Sequence, residues 1–161
     1  MFSEKDRFYM QKALALAKEA ADEGEVPVGA VIVHKAKIIG VGRNRREKFK
    51  NALAHAELEA INEACRTRGG WRLPECTLYV TLEPCPMCAG GIINSRIGRT
   101  VIALADAKSG CLGSVINFNS YPFNHKTETE YGLCESEAKV LMSDFFAKIR
   151  KERNEKRRKE K

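Results

Sequence analysis

Apolar residues return along this chain in two rhythms. Met10, Leu14, Ala17 and Ala21 recur at helical spacing behind Ser3 and Asp6, which stand at the separation of a capping box, so a first helix is predicted to run to about Glu23. The stretch PVGAVIVHKAKIIGVGRN then changes to two β-rich runs around a polar break at Lys35–Lys37, the pattern of a hairpin. A second helix opens near His55 with Leu58, Ile61 and Cys65 on its predicted buried face, and the glycines of RTRGG stop it. TLYVTL (Thr77–Leu82) is a short apolar run of the kind found in a central strand. Pro84 and Pro86 introduce a third helix to about Arg96, and RTVIAL (Arg99–Leu104) is the next strand.

Strand, helix and strand between Thr77 and Leu104 make a βαβ crossover, which forces those two strands to lie parallel. The Gly/Ser/Asn/Pro-rich stretch from Asp106 to Asn124 is long for a mere connection, and loops of that length are commonly functional. Thr127, Thr129 and Tyr131 alternate with Glu128 and Glu130 as a candidate edge strand. A last helix carries Ala138, Leu141, Met142, Phe145 and Ile149 on one face. The predicted fold class is α/β: a mixed sheet of about five strands with helices on both faces.

Composition narrows the setting. At 161 residues the chain suits one domain with a sizeable core. No apolar run approaches the twenty or so residues that span a bilayer, and MFSEKDRFYM lacks the apolar stretch of a signal peptide. A cytoplasmic location is expected, where six cysteines stay reduced and are buried, metal-bound or reactive. The charge is uneven: nine Lys/Arg against three Glu between Lys148 and Lys161 carry +6 of the net +7. Residues 1–150 are therefore expected to form the domain and 151–161 a basic tail. Two readings of that tail stand, an arm for nucleic acid and a solvated helix end.

The chemistry lies in HAE (His55–Glu57) and PCPMC (Pro84–Cys88). Cys85 and Cys88 follow a strand end and sit at i and i+3 in the opening turn of a helix, where positive potential favours thiolates. His55 also stands at a predicted helix start. One nitrogen and two sulfurs suit zinc. Cys65, Cys76, Cys111 and Cys134 have no spacing that makes them a fourth ligand, and three ligands leave a position for water, as catalytic zinc requires. Glu57 is then the acid/base beside that position.

These residues resemble the zinc-dependent cytidine and adenosine deaminase superfamily. Beyond the motif, TLYVTLEPCPMCAGGIINSRIG, DAKSGCLGS, FNH and SDFF resemble the bacterial tRNA-specific adenosine deaminases, and the likeness runs from the first helix to about Ile149. The resemblance implies a three-layer α/β/α cytidine-deaminase-like fold, a homodimer with one zinc per subunit, and deamination of the wobble adenosine in an arginine tRNA anticodon stem-loop. It implies that His55, Cys85 and Cys88 bind zinc and that Glu57 shuttles protons. Asn44 matches a residue that contacts the target nucleotide; Asp106, Lys108 and Ser109 match the loop beside the anticodon. Asn124, His125, Phe145 and Phe146 match the rest of the RNA surface. Phe145 equally fits the apolar helix face, and Asn44 equally fits a turn cap. Asn51–Ala54 departs from the Asp-Pro-x-Ala common in that family.

Two other functions fit the zinc motif. One is a deaminase of a free base or nucleoside, guanine or cytosine; the basic tail and the DAKSG loop argue against it. The other is a non-catalytic zinc module for nucleic acid, which a fourth cysteine ligand would support.

Overall fold

The computed structural model describes residues 1–161. Five strands form one sheet in the order β2-β1-β3-β4-β5, with β1 Gly29–His34, β2 Lys37–Arg43, β3 Cys76–Leu82, β4 Arg99–Leu104 and β5 Glu128–Tyr131. β1 is antiparallel to both β2 and β3, whereas β3, β4 and β5 run parallel. Helices α1 Glu4–Asp22, α2 Arg46–Phe49, α3 Ala56–Arg68, α4 Pro86–Asn94 and α5 Glu135–Lys159 complete the chain.

Side-chain alternation along the strands builds two cores. Ala30, Ile32, Leu78, Val80 and Ile102 point to the side covered by α3 and α4. Val31, Val33, Tyr79, Val101 and Ala103 point to the side covered by α1 and α5. Because strand neighbours face opposite ways, each central strand is apolar on both faces, the pattern that TLYVTL and RTVIAL carry. The arrangement is α/β/α.

The capping box at the start of α1 forms as the sequence predicts, with Ser3 Oγ accepting the Asp6 N–H at 3.1 Å and Asp6 accepting the Ser3 N–H at 2.8 Å. Asp6 also accepts from the Tyr79 hydroxyl on β3 and from Arg99 on β4, both at 2.7 Å, and Arg99 reaches Glu130 on β5 at 2.6 Å. One helix cap thus ties three strands together. The hairpin turns at Lys35 and Ala36, both with positive φ, and His34 pairs with Lys37.

Two expectations are corrected. The buried face of α3 is Ala56, Glu57, Ala60 and Ala64, while Leu58, Ile61 and Cys65 are half-buried. The reason is on β2: a Cβ on Gly40 would meet the Ala64 nitrogen at 2.8 Å, and one on Gly42 would meet the Ala60 nitrogen at 2.8 Å. Glycine lets the helix backbone lie against the strand, so only alanines fit between them. Leu58 and Ile61 turn sideways toward Gly91 of α4. On α5, Ala138 and Phe145 are buried as expected, but Leu141 and Met142 are half-buried and Ile149 is exposed. That helix runs past the sheet and on to Lys159, so its later apolar positions have nothing to cover. No helix is long and apolar enough to cross a membrane.

Candidate active site

His55 and Cys85 are the N-cap residues of α3 and α4, both in extended backbone and neither using its side chain to cap its helix. Pro86, with its ring-fixed φ and no N–H to satisfy, opens α4 directly after Cys85. The two helix starts bring three ligand atoms together. His55 Nδ1 lies 3.6 Å from Cys85 Sγ and 3.5 Å from Cys88 Sγ, and the three atoms lie within 4.8 Å of one another. Zinc bonds of about 2.3 Å to sulfur and 2.0–2.1 Å to nitrogen, at a tetrahedral angle, place nitrogen and sulfur about 3.5 Å apart. The donor set and its spacing therefore fit a zinc ion. The group holds three ligands, and the other four cysteines are free thiols elsewhere.

Hydrogen bonds among these side chains shift their proton affinities. The Cys85 thiol is held down to about 4, first by the hydrogen bond from Cys88 and then by His55, while that same bond and burial push Cys88 up. The bond to Cys85 likewise raises His55. A lowered thiol pKa favours the thiolate, the form a metal binds. Glu57, in the first turn of α3, is 4% exposed, and burial raises its carboxyl above the ordinary range. Its Oε2 lies 3.5 Å from Cys88 Sγ. A buried carboxyl of raised pKa beside these ligand atoms is suited to accept and return a proton.

The cavity on this group has a volume of about 150 Å³ and is lined by Val26, Val28, Asn44, Arg46, His55, Glu57, Leu82, Glu83, Cys85, Asp106 and Ser109. It sits beyond the carboxyl ends of β3 and β4, where parallel sheets commonly place ligands. Asn44 is buried and locked: its Nδ2 donates to the Val26 carbonyl at 3.1 Å and its Oδ1 accepts the Ala56 N–H at 3.2 Å. Cap and cavity wall are therefore one role. Asp106 accepts the Lys108 N–H at 3.0 Å and the Ser109 hydroxyl at 2.7 Å, which folds DAKSG into a tight turn at the rim.

The remaining predicted residues separate. Lys108 and Phe146 line two grooves of about 420 and 480 Å³ beside the cavity. Phe145 is in the core, 9% exposed. Asn124 and His125 are not brought to this chain's cavity: His125 Nε2 bonds the Ile97 carbonyl at 2.7 Å, just before β4, roughly 17 Å of strand from the site end. Sequence reasoning passed over Arg46 and Glu83. Arg46 lies on the four-residue α2, too short for a periodic signal. Glu83, 2% exposed, accepts the Ser114 hydroxyl at 2.8 Å and packs against Gly110, so it anchors the rim loop. Its place directly before Pro84–Cys85 was the available clue.

Comparison with known proteins agrees with this geometry. Residues 4–150 match the family described as MafB19-like deaminase. The chain is 45% identical over 149 residues to a tRNA-specific adenosine deaminase of Bacillus subtilis, covering 92% of each. A structure solved in a study of A-to-I editing by tRNA:A34 deaminases at the wobble position superposes with a TM-score of 0.81 at 40% identity, covering 83% of this chain and 98% of that one. A guanine deaminase of Bacillus subtilis is more distant, at 30% identity and a TM-score of 0.60, covering 77% of this chain and 88% of that one. The chain belongs to the deaminase family with the cytidine-deaminase-like fold, and within it to the tRNA-specific adenosine deaminases.

Proposed function

We propose that this protein hydrolyses the wobble adenosine of an arginine tRNA anticodon to inosine and ammonia, in the cytoplasm, as a homodimer with one zinc ion per subunit. The observation that carries the reading is a cavity sized for one base that opens into grooves lined by a cation and an aromatic ring. About 150 Å³ is well below the roughly 300–1,000 Å³ of a site that engulfs a whole drug-sized ligand. The cavity admits a ring system and leaves sugar and phosphates to the grooves of Lys108, Phe146 and Arg150. A free base would need only the cavity; a base splayed out of an RNA loop needs both.

His55, Cys85 and Cys88 would hold a zinc ion, which would supply the Lewis acidity that makes water a nucleophile near neutral pH. The residues of the chain do the rest. Asn44 walls the cavity with a fixed amide. Glu57 takes a proton from the attacking water and delivers it to N1 of the purine, which makes C6 electrophilic. As the C6–O bond forms and the C6–N bond breaks, the same carboxyl passes the second proton to the departing amine, which leaves as ammonia. Burial around Glu57 keeps bulk water from competing for these protons.

The dimer reading is supported by exposed Phe49 and Leu53, which with Leu58 line an open cleft at α2 and α3. A second copy would cover these apolar side chains. Asn124 and His125 belong to the wider RNA surface in this reading, away from the cavity itself.

The test is incubation with the anticodon stem-loop, free adenosine, guanine and cytidine, followed by detection of inosine or the other deaminated product. Inosine in the stem-loop alone is expected. Turnover of guanine or cytidine with none of the RNA would overturn the assignment.

A further inference from the structure

α5 spans 25 residues, about 37 Å at 1.5 Å per residue. Ala138 and Phe145 are its buried residues, and every residue from Phe146 to Lys161 is exposed. The family match covers residues 4–150, so the helix continues past the matched residues to Lys159.

Three of the nine cations between Lys148 and Lys161 share one side of the helix. At 3.6 residues per turn, Met142, Phe146, Arg150, Arg153 and Arg157 fall in one stripe about 80° wide, about a quarter-turn from the buried face. Glu152 and Glu155 lie outside that stripe, and Glu160, the C-cap, falls on its edge. None of the three arginines meets a carboxylate within 4.0 Å, whereas Lys148 pairs with Glu152 at 4.0 Å.

The head of the stripe is already part of the substrate path. Met142, Phe146 and Arg150 line one groove with Lys108. Met142 and Phe146 line the next with Val26, Arg46, Asp106 and Ser109, and those last four also wall the base cavity. Cavity, grooves and arginines form one continuous track. Arg153 and Arg157 stand about 10 and 16 Å beyond Phe146 along the helix axis, past the residues that line the two grooves. Unpaired arginines at helical spacing suit phosphate oxygens, which a guanidinium binds with paired N–H donors.

We infer that Arg153 and Arg157 dock the phosphate backbone of the paired stem that carries the anticodon loop. This rests on the tRNA reading above and extends its contact beyond the loop. The test compares the double variant R153A/R157A with K151A/K159A, which removes equal charge from the opposite face. Alanine favours helix, so α5 is retained in both. Binding to the anticodon hairpin is measured across salt concentrations, alongside a single-stranded RNA holding only the loop sequence. For the hairpin, R153A/R157A should flatten the slope of log K against log salt by roughly 1.8, about 0.9 per duplex phosphate contact, and K151A/K159A should leave it in place. For the single strand, neither variant should change the slope. An unchanged slope in R153A/R157A, an equal change from both faces, or the same loss on the single strand each overturns the stem contact. Inosine formation by the unaltered chain reports the deaminase reading separately.

Discussion

Asn44 Oδ1 accepts the backbone N–H of Ala56 at 3.2 Å, and this bond couples the end of β2 to the helix that carries His55 and Glu57. Asn44→Ala removes it and leaves the Ala56 donor buried without a partner, a loss of about 1–3 kcal/mol. The expected result is a lower thermal midpoint together with reduced kcat/KM, because the same amide walls the base cavity. Asn44→Asp keeps the acceptor but loses the donor to Val26 and adds a charge near Glu57; it should regain part of the midpoint and none of the activity. Restored activity in Asn44→Asp would remove the amide from substrate positioning.

Gly42→Ala tests how the site is seated. The new methyl would meet the Ala60 nitrogen at 2.8 Å, so α3 must move off β2. Overpacking of this kind costs about 1–3 kcal/mol, and the shift carries His55 away from the two sulfurs. Weaker zinc retention against a chelator is expected along with the loss of stability. Retention equal to the parent protein would mean that α3 can slide without opening the ligand group.

His55→Ala and Glu57→Gln should part company. Loss of the imidazole leaves two sulfurs and an incomplete ion site, so metal analysis should find little zinc. Glu57→Gln keeps the ligands and the cavity shape, and should hold zinc and bind the stem-loop normally. Its turnover should fall by at least about 10⁴-fold, the upper end for one acid/base group, since Glu57 serves several proton transfers. Full zinc in His55→Ala would end the ligand assignment, and near-normal turnover in Glu57→Gln would take the carboxyl out of the mechanism.

Asp6 makes a pH prediction. Burial alone would raise its pKa, but Arg99, the Ser3 N–H and the Tyr79 hydroxyl together hold it well below the carboxylate range. A depressed folded pKa means that the stabilisation is complete above the unfolded value of about 3.9 and is lost as pH falls toward the folded one. Breaking a buried pair costs about 3–5 kcal/mol; Arg99 keeps Glu130 as a partner, which favours the lower end. Urea midpoints of the parent protein and Asp6→Asn should differ clearly at pH 7 and converge below about pH 3.9. A constant gap across that range would show that Asp6 does not act through its charge.

The order and type of the main elements, the parallel pair β3–β4 and the composition of the ligand group were legible in the residues themselves. Periodicity reports which side of an element meets apolar neighbours, and HAE with PCPMC places metal donors at two helix starts whatever lies around them. What no local pattern carried was distance between elements. Glycines on β2 let α3 approach until its alanine edge, not its leucine edge, became the core face. Phe145 and Phe146 are adjacent and chemically identical, yet one is core and the other lines a groove, because successive residues on a helix point about 100° apart. His125 stands in the same motif family as the site residues but lies at the far end of β4, a consequence of where β5 joins the sheet. The chemistry could be read from residue types at fixed spacing; which of them share one cavity was decided by packing between segments remote in the chain.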